Sequence, residues 1–412
     1  STTQRDRALK WIREQGLELP DLTKDTVLTA LESPDCPAKV KSLLGIRQAI
    51  AKTSTAKYKA FELRSRTDSR IRDHMLYHGA STGRWTGMGV QPHNFPRGTI
   101  RNTAQAAEII LDGDLEWIRL LYGNPMEVFS SCLRAVISAS PGKTLYCQDY
   151  SSIEARMLLW FANDEQGLEV YRNGKDPYKM MAARIFNKPI EDVTKSERDG
   201  LGKQTELGCG FGMGWKKFLN TCEKYRIKGV DEKLARKAVS IYREVHSPVV
   251  SLWNKLERAA IYAVQEKKRV TVNNTTWFVE GKFLYCELPS NRRLAYFGPE
   301  IRFAKTPWGE TRPKLYHWGV HPITRKWVCD GTYGGRLTEN VVQAASRDIM
   351  AEAKLRVEEA GFEVVLSVHD EGLAEKEDGN NLEYKSLMSQ LPSWAKGLPL
   401  KTEGWIGERY HK

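Results

Sequence analysis

The sequence predicts an α+β chain in which helices and antiparallel strands occupy separate stretches, and three observations carry that reading. Residues 1–78 place apolar side chains at helical spacing, as in Asp25-Thr-Val-Leu28 and Ala38–Ala51, with Pro20, Pro34 and Pro37 as breaks. From Arg269 to Gly335 the pattern turns to short β-branched and aromatic runs cut by Gly and Pro, which fits an antiparallel excursion. Two further strand patterns, Lys143–Gln148 and Glu363–Glu375, stand apart from it, the first running into Asp149 and the second carrying Asp370 at its tip.

Taken in order, Gly79–Thr99 is rich in Gly, Pro, Thr and Asn and reads as loop. Lys143–Gln148 alternates like a strand and ends at Asp149, and Ser152–Ala162 then reads as a helix, so a carboxylate sits where strand becomes helix. Residues 196–265 read as largely helical, including Leu234–Val245 and, beyond a break at Pro248, Val249–Val264. Thr338–Glu359 is again helical, and Glu363–Glu375 forms a hairpin with His369, Asp370 and Glu371 at its tip.

At 412 residues, 41% hydrophobic and 28% charged, the chain has room for two or three packed subdomains, and disorder, a fibre and a disulfide miniprotein are excluded. No apolar run approaches the roughly 18 residues that span a bilayer, and Ser1–Lys10 lacks the apolar core of a signal peptide, so a soluble, cytoplasmic protein without a membrane partner is expected. Seven scattered cysteines without a C-x-x-C pair indicate reduced thiols rather than a disulfide framework or zinc ribbon. His317 and His321 are four apart, but Gly319 and Pro322 argue against a helix and hence against a zinc site. The twelve tryptophans are assigned to packing.

The net charge of +12 suits a polyanionic partner. Between Lys52 and Arg72 seven basic residues (52, 57, 59, 64, 66, 70, 72) face only Glu62 and Asp68. Alone, that run is a solvated helix face.

Asp149 and Asp370 lie far apart in sequence but come side by side if their strands are neighbours in one sheet. Such a pair suits Mg²⁺, because hard cations choose carboxylate oxygens and a two-metal site stabilises the attacking and leaving oxygens of a phosphoryl displacement. An isolated Asp after a strand is more often a cap or turn residue, so context decides.

That context is specific. Asp149-Tyr-Ser-Ser-Ile-Glu-Ala-Arg156 resembles motif A of the family A (polymerase I type) DNA polymerases, D-Y-S-x-I-E-x-R, and Val368-His-Asp-Glu371 resembles their motif C. Lys203-Gln-Thr-Glu-Leu-Gly-Cys-Gly-Phe-Gly-Met-Gly214 resembles motif B, Ser81-Thr-Gly-Arg84 with Gln91-Pro-His-Asn94 the T-G-R…L-Q-N segment, and Glu339-Asn-Val-Val-Gln-Ala344 the helix before motif C. The five occur in family order over nearly the whole chain, in a form similar to bacteriophage and prophage members. Lys203, Leu207 and Phe211 step by four, so one helix face offers a cation for a triphosphate and an apolar surface for sugar and base.

The resemblance implies the right-hand polymerase fold: a helical thumb (1–80), a palm with an antiparallel sheet in two parts (81–156 and 337–412), and fingers with the β-rich excursion (157–336). It implies template-directed addition of deoxynucleotides to a primer 3′-OH with two Mg²⁺ ions, which Mn²⁺ could replace, and with primer-template DNA and dNTPs as partners of a monomer. Asp149 and Asp370 become metal ligands with the Tyr150 carbonyl, and Glu371 an accessory acid. Glu154 becomes the steric gate against a 2′-hydroxyl, and Lys203 the triphosphate ligand and proton donor to pyrophosphate. Leu207 and Phe211 line the nucleotide, and Arg84, Gln91, Asn94, Arg156, Gln343 and His369 contact DNA. The basic run 52–72 falls where thumb helices grip duplex phosphates.

Two positions depart from the pattern. The arginine expected four residues before Lys203 is Asp199, with Arg198 one residue further off, and Leu207 stands where Phe or Tyr is usual. A chain opening on the thumb is expected to lack its own proofreading exonuclease, whether cut from an upstream nuclease domain or evolved without one, and accessory replication proteins remain open as partners. The rival readings are a single-subunit RNA polymerase, against which Glu154 argues, and a non-catalytic DNA-binding or processivity module, which would not need both aspartates.

Overall fold

The structure is a computed structural model that describes residues 2–50, 56–305, 309–321 and 324–411. The chain forms two compact units, residues 1–76 with 87–140 and 407–412, and residues 77–86 with 141–406.

In the first unit, helices Thr2–Glu14, Lys24–Glu32 and Ala38–Ile50 close over a small core of Ile12, Leu22, Val27, Ala30, Val40 and Leu44. Pro34 and Pro37 fall in the link between the second and third helices. Helix Ala56–Arg64 follows and carries Lys57, Lys59 and Arg64 with no buried residue. Much of the basic run is tied to the protein. Lys57 donates to the Val90 carbonyl at 2.7 Å, Arg70 to Ser140 Oγ at 2.6 Å, and Arg72 pairs with Asp68 at 2.6 Å, while Lys52 lies outside the described residues. Three short helices, Thr103–Leu111, Leu115–Tyr122 and Pro125–Cys132, each begin on an Asn or Asp side chain that accepts from the first-turn amides, at Asn102, Asp114 and Asn124.

The second unit, numbered along the chain, contains β1 (Thr144–Tyr150), α1 (Ile153–Ala162), α2 (Pro177–Phe186), α3 (Lys203–Cys209) and α4 (Ser247–Glu266). Then come β2 (Val270–Val272), β3 (Thr275–Glu280), β4 (Phe283–Glu287), β5 (Arg293–Lys305), β6 (Thr311–Val320), β7 (Trp327–Gly331), α5 (Gly334–Glu359), β8 (Glu363–Val368), β9 (Glu371–Lys376) and β10 (Thr402–Gly407). Strands β8-β9-β1-β10 make one sheet and β2 to β7 a sequential six-stranded antiparallel sheet. α5 is buried along most of its length, and at its start a Cβ on Gly334 or Gly335 would run into the Trp253 or Phe211 carbonyl. That close approach locks α5 to α4 and to the segment after α3.

Several boundaries differ from the sequence reading. β1 continues through Asp149 to Tyr150, and Glu371 begins β9, which leaves only His369 and Asp370 in the turn. Pro248 does not break a helix: it occupies the first turn of α4, where its missing N–H has no intrahelical partner to lose. α3 ends at Cys209, so Phe211 lies beyond the helix that was expected to carry it. The seven cysteines are unpaired, six of them buried, and among the described residues no helix is long and apolar enough to cross a membrane.

Candidate active site

β1 and β9 run antiparallel with Asp149 opposite Glu371, which puts these two side chains on the same face of the sheet. The Tyr150 amide donates to the Asp370 carbonyl at 3.1 Å, so the hairpin turn sits against the end of β1 and brings Asp370 beside Asp149. His369 takes a left-handed φ of 56°, an uncommon backbone state for a non-glycine residue. Asp149 and Asp370 are half-exposed, whereas Glu371 is only 3% exposed. Beneath them, the Tyr150 ring is buried with its hydroxyl donating to the Met388 carbonyl at 2.7 Å, which anchors the strand end.

The donor set suits Mg²⁺. Among the described residues no three or more His, Cys, Asp or Glu side chains gather as a metal cage. Mg²⁺ typically takes one or two carboxylates and completes its shell with water and substrate phosphate, so two adjacent half-exposed aspartates fit it better than a closed cage would.

In the first turn of α1, Glu154 pairs with Arg84 at 2.6 Å, both side chains being about two-thirds covered. Glu339 lies close by on α5, where burial, with the Glu154 charge second, holds its carboxyl above the usual range, and it accepts from Gln343 Nε2 at 3.3 Å. Arg84, Glu154, Glu339 and Gln343 thus form one polar cluster. Ser81 lines a separate cleft of about 160 Å³ with Tyr296, His317, Arg336 and Asn340.

α3 turns Lys203 and Leu207 to solvent and buries Thr205 and Cys209. Gly202 lets α3 lie on α2, because a Cβ there would run into the Tyr178 carbonyl. Tyr178, which sequence reasoning did not single out, joins the parts: its hydroxyl is 3.2 Å from Ser152 Oγ, and Arg198 and Lys203 both stand over its ring, at 5.3 and 5.9 Å.

The sequence matches the family model of DNA polymerase family A over residues 9–274. The chain belongs to DNA polymerase family A. It is 36% identical over 98% of its length to the DNA polymerase of Bacillus phage SP02, and it spans 62% of that protein. A segment covering 20% of the chain is 31% identical to DNA polymerase I of Aquifex aeolicus, of which it covers 14%. The fold resembles the POL domain of Pol1 from M. smegmatis, solved in complex with DNA primer-template and dNTP, with a TM-score of 0.58 at 18% identity over 95% of this chain and 57% of that one.

The local backbone brings Arg198, five residues before Lys203, to the same face as that lysine. Residues Arg198–Gly202 form a π-helical turn in which the Lys203 amide donates to the Arg198 carbonyl. An i→i+5 turn absorbs one extra residue and returns positions five apart to one face. Arg198 therefore shares the Tyr178 ring with Lys203 despite the spacing, and it is held there by Asp176 at 2.5 Å and by Asp199.

Arg156 lies inside the fold. It is buried, with Nε donating to the Ser151 carbonyl at 2.7 Å and a terminal nitrogen to the Pro399 carbonyl at 2.9 Å, and it stacks on Tyr171. These contacts brace the β1–α1 junction. Gln91 and Asn94 belong to the first unit, where Asn94 donates to Gln91 at 3.0 Å.

Sequence reasoning also missed His246. Its ring nitrogens lie 2.8 Å from Asp164 Oδ2 and 3.4 Å from Glu206 Oε1, and Glu206 sits on α3 between Lys203 and Leu207. Burial alone would lower the imidazole's pKa, but the two carboxylates outweigh it and push it up to about 9.

Proposed function

We propose that this chain is a template-directed DNA polymerase that adds deoxynucleotides to a primer 3′-OH. The observation that carries the reading is the pairing of β1 with the β8–β9 hairpin, which sets Asp149 and Asp370 side by side at one end of the sheet. The curated relatives named as DNA polymerases and the primer-template and dNTP in the M. smegmatis structure point to the same substrates.

Asp149 and Asp370, with the Tyr150 carbonyl, hold divalent cations. Bound Mg²⁺ there would lower the pKa of the primer hydroxyl and neutralise the triphosphate. Lys203 and Arg198 bind the triphosphate from the shared face over Tyr178, and Lys203 donates a proton to the departing pyrophosphate. Arg198 is delivered by the π-turn and exchanges part of its pairing with Asp176 for phosphate. Glu154 fills the space a 2′-hydroxyl would need and so rejects ribonucleotides by clash. Arg84, released from Glu154, and Gln343 reach the minor groove, whose acceptors every correct pair offers in equivalent places. His369, at the hairpin tip, meets the primer terminus. Leu207 lies beside the incoming sugar.

Primer extension on a defined primer-template, with and without EDTA and with dNTPs against NTPs, tests the reading. Metal-dependent extension by dNTPs alone is expected, and no extension under any condition would overturn it.

A further inference from the structure

The six-stranded sheet has two unlike faces. One packs Trp277, Leu284, Cys286, Leu294 and Tyr296 into the core, with α4 lying against it. On the other face aromatic rings line up along and across the strands. Phe278 and Tyr285 are 5.7 Å apart, Tyr285 and Phe283 5.7 Å, Phe283 and Phe297 5.2 Å, and Phe297 and Trp327 6.0 Å. The register pairs Phe297 with Trp318, and Val320 with Trp327, so Trp318 and Trp327 share this face on adjacent strands. Both are open to solvent, at 36% and 56% exposure.

Cations border the row. Arg269 and Arg293 cover Phe278 at 3.9 and 5.1 Å, and Arg302 and Lys314 stand over Tyr316 at 4.8 and 5.7 Å. Three of these four are engaged by acids, Arg269 by Glu287, Arg293 by Glu280 and Glu287, and Arg302 by Glu300. The acids are outnumbered, however: residues 269–336 hold eleven Lys and Arg against five Asp and Glu, half of the chain's net +12.

We propose that this outer face is a binding platform for single-stranded DNA, with Trp318 and Trp327 stacking on bases and the flanking cations tracking the phosphates. Aromatic rings between cations are the chemistry that binds a single strand without reading its sequence. A protein partner would need an apolar patch with few charges at its centre, whereas here Arg and Lys side chains stand over the rings at the borders of the row. The choice of DNA as the polyanion rests on the polymerase reading. It reverses the packing role expected of these two tryptophans.

The test is binding of a fluorescein-labelled oligo(dT) to the full chain, beside extension on a template with a one-nucleotide overhang. Trp318→Ala with Trp327→Ala should weaken oligo(dT) binding at least tenfold, and Trp318→Phe with Trp327→Phe should keep it. Arg302→Ala with Lys314→Ala should flatten the slope of log K against log salt by about 0.7 for each phosphate no longer neutralised. Extension on the short overhang should be unchanged in every variant. Unaltered oligo(dT) affinity in the alanine variant would overturn the proposal, as would an equal loss of short-overhang extension in that variant. A native chain that binds oligo(dT) through these tryptophans yet extends no primer would refute the polymerase reading and leave the platform standing.

Discussion

His246→Ala should destabilise the protein strongly although it lies outside the proposed chemistry. The imidazole is buried between Asp164 and Glu206, and its ring rests on Tyr242 with centroids 4.9 Å apart. Removing it leaves two largely buried carboxylates without their cation, and breaking a buried pair from one side typically costs about 3–5 kcal/mol. At about 2–4 °C per kcal/mol for a unit of this size, Tm should fall by roughly 6–20 °C. The pH dependence fixes the sign. The folded pKa of about 9 lies above the usual 6.5, so the contribution is complete below about 6.5 and is lost as pH rises through about 9. Thermal melts of native and His246→Ala protein from pH 6 to 10 should therefore converge toward the alkaline end. Adding Glu206→Gln and Asp164→Asn to the variant should recover part of the loss, since no unpaired charge then remains. A Tm drop under about 2 °C at pH 6.5, or curves that stay parallel to pH 10, would refute the ion-triad account.

Glu154→Ala should admit ribonucleotides while Glu154→Gln should not, because glutamine keeps the bulk and loses only the Arg84 pair. A hydroxyl forced into filled space costs ~1–3 kcal/mol, so the alanine variant should lose about five- to 150-fold of its dNTP/NTP kcat/KM ratio, and an unchanged ratio places the gate elsewhere. Arg198→Ala should lower kcat/KM for dNTP by roughly 10- to 150-fold, the range of a hydrogen bond to a charged group, measured by single-nucleotide incorporation; no change would mean that the π-turn does not deliver it to the triphosphate. Leu207→Tyr should raise acceptance of dideoxynucleotides, because a phenolic hydroxyl can stand in for the missing 3′-OH with a net worth of ~0.5–1.5 kcal/mol. Leu207 is 46% exposed, which leaves room for the ring, and an unchanged ddNTP/dNTP ratio would show that this side chain does not face the sugar.

The fold class was legible because periodicity is a local signal: Thr338–Glu359 reads as helix and forms the body of α5, and the β-rich run after Arg269 forms the six strands. The Asp149–Asp370 juxtaposition was legible only through motif spacing, since nothing local tells two strand ends that they are neighbours. What escaped was set by backbone detail or distant contact. The π-turn at Arg198–Gly202 looks like a one-residue spacing error until its hydrogen bonds are seen. The three helices between Thr103 and Cys132 are too short for periodicity to declare them, although Asn102, Asp114 and Asn124 mark their starts. Arg156 meets the carbonyls of Ser151 and Pro399, and His246 its two acids, only through the fold.

The most direct test of the central claim is primer extension by Asp370→Asn and Asp149→Asn proteins, with duplex binding measured alongside. Each substitution withdraws a carboxylate from one of two adjacent strand ends while keeping the side chain's size. Both variants should bind primer-template nearly as the native protein does and lose extension by several orders of magnitude, in keeping with transition-state stabilisation of several kcal/mol. Extension by either variant at close to the native rate would contradict the assignment of this pair as the metal-holding centre.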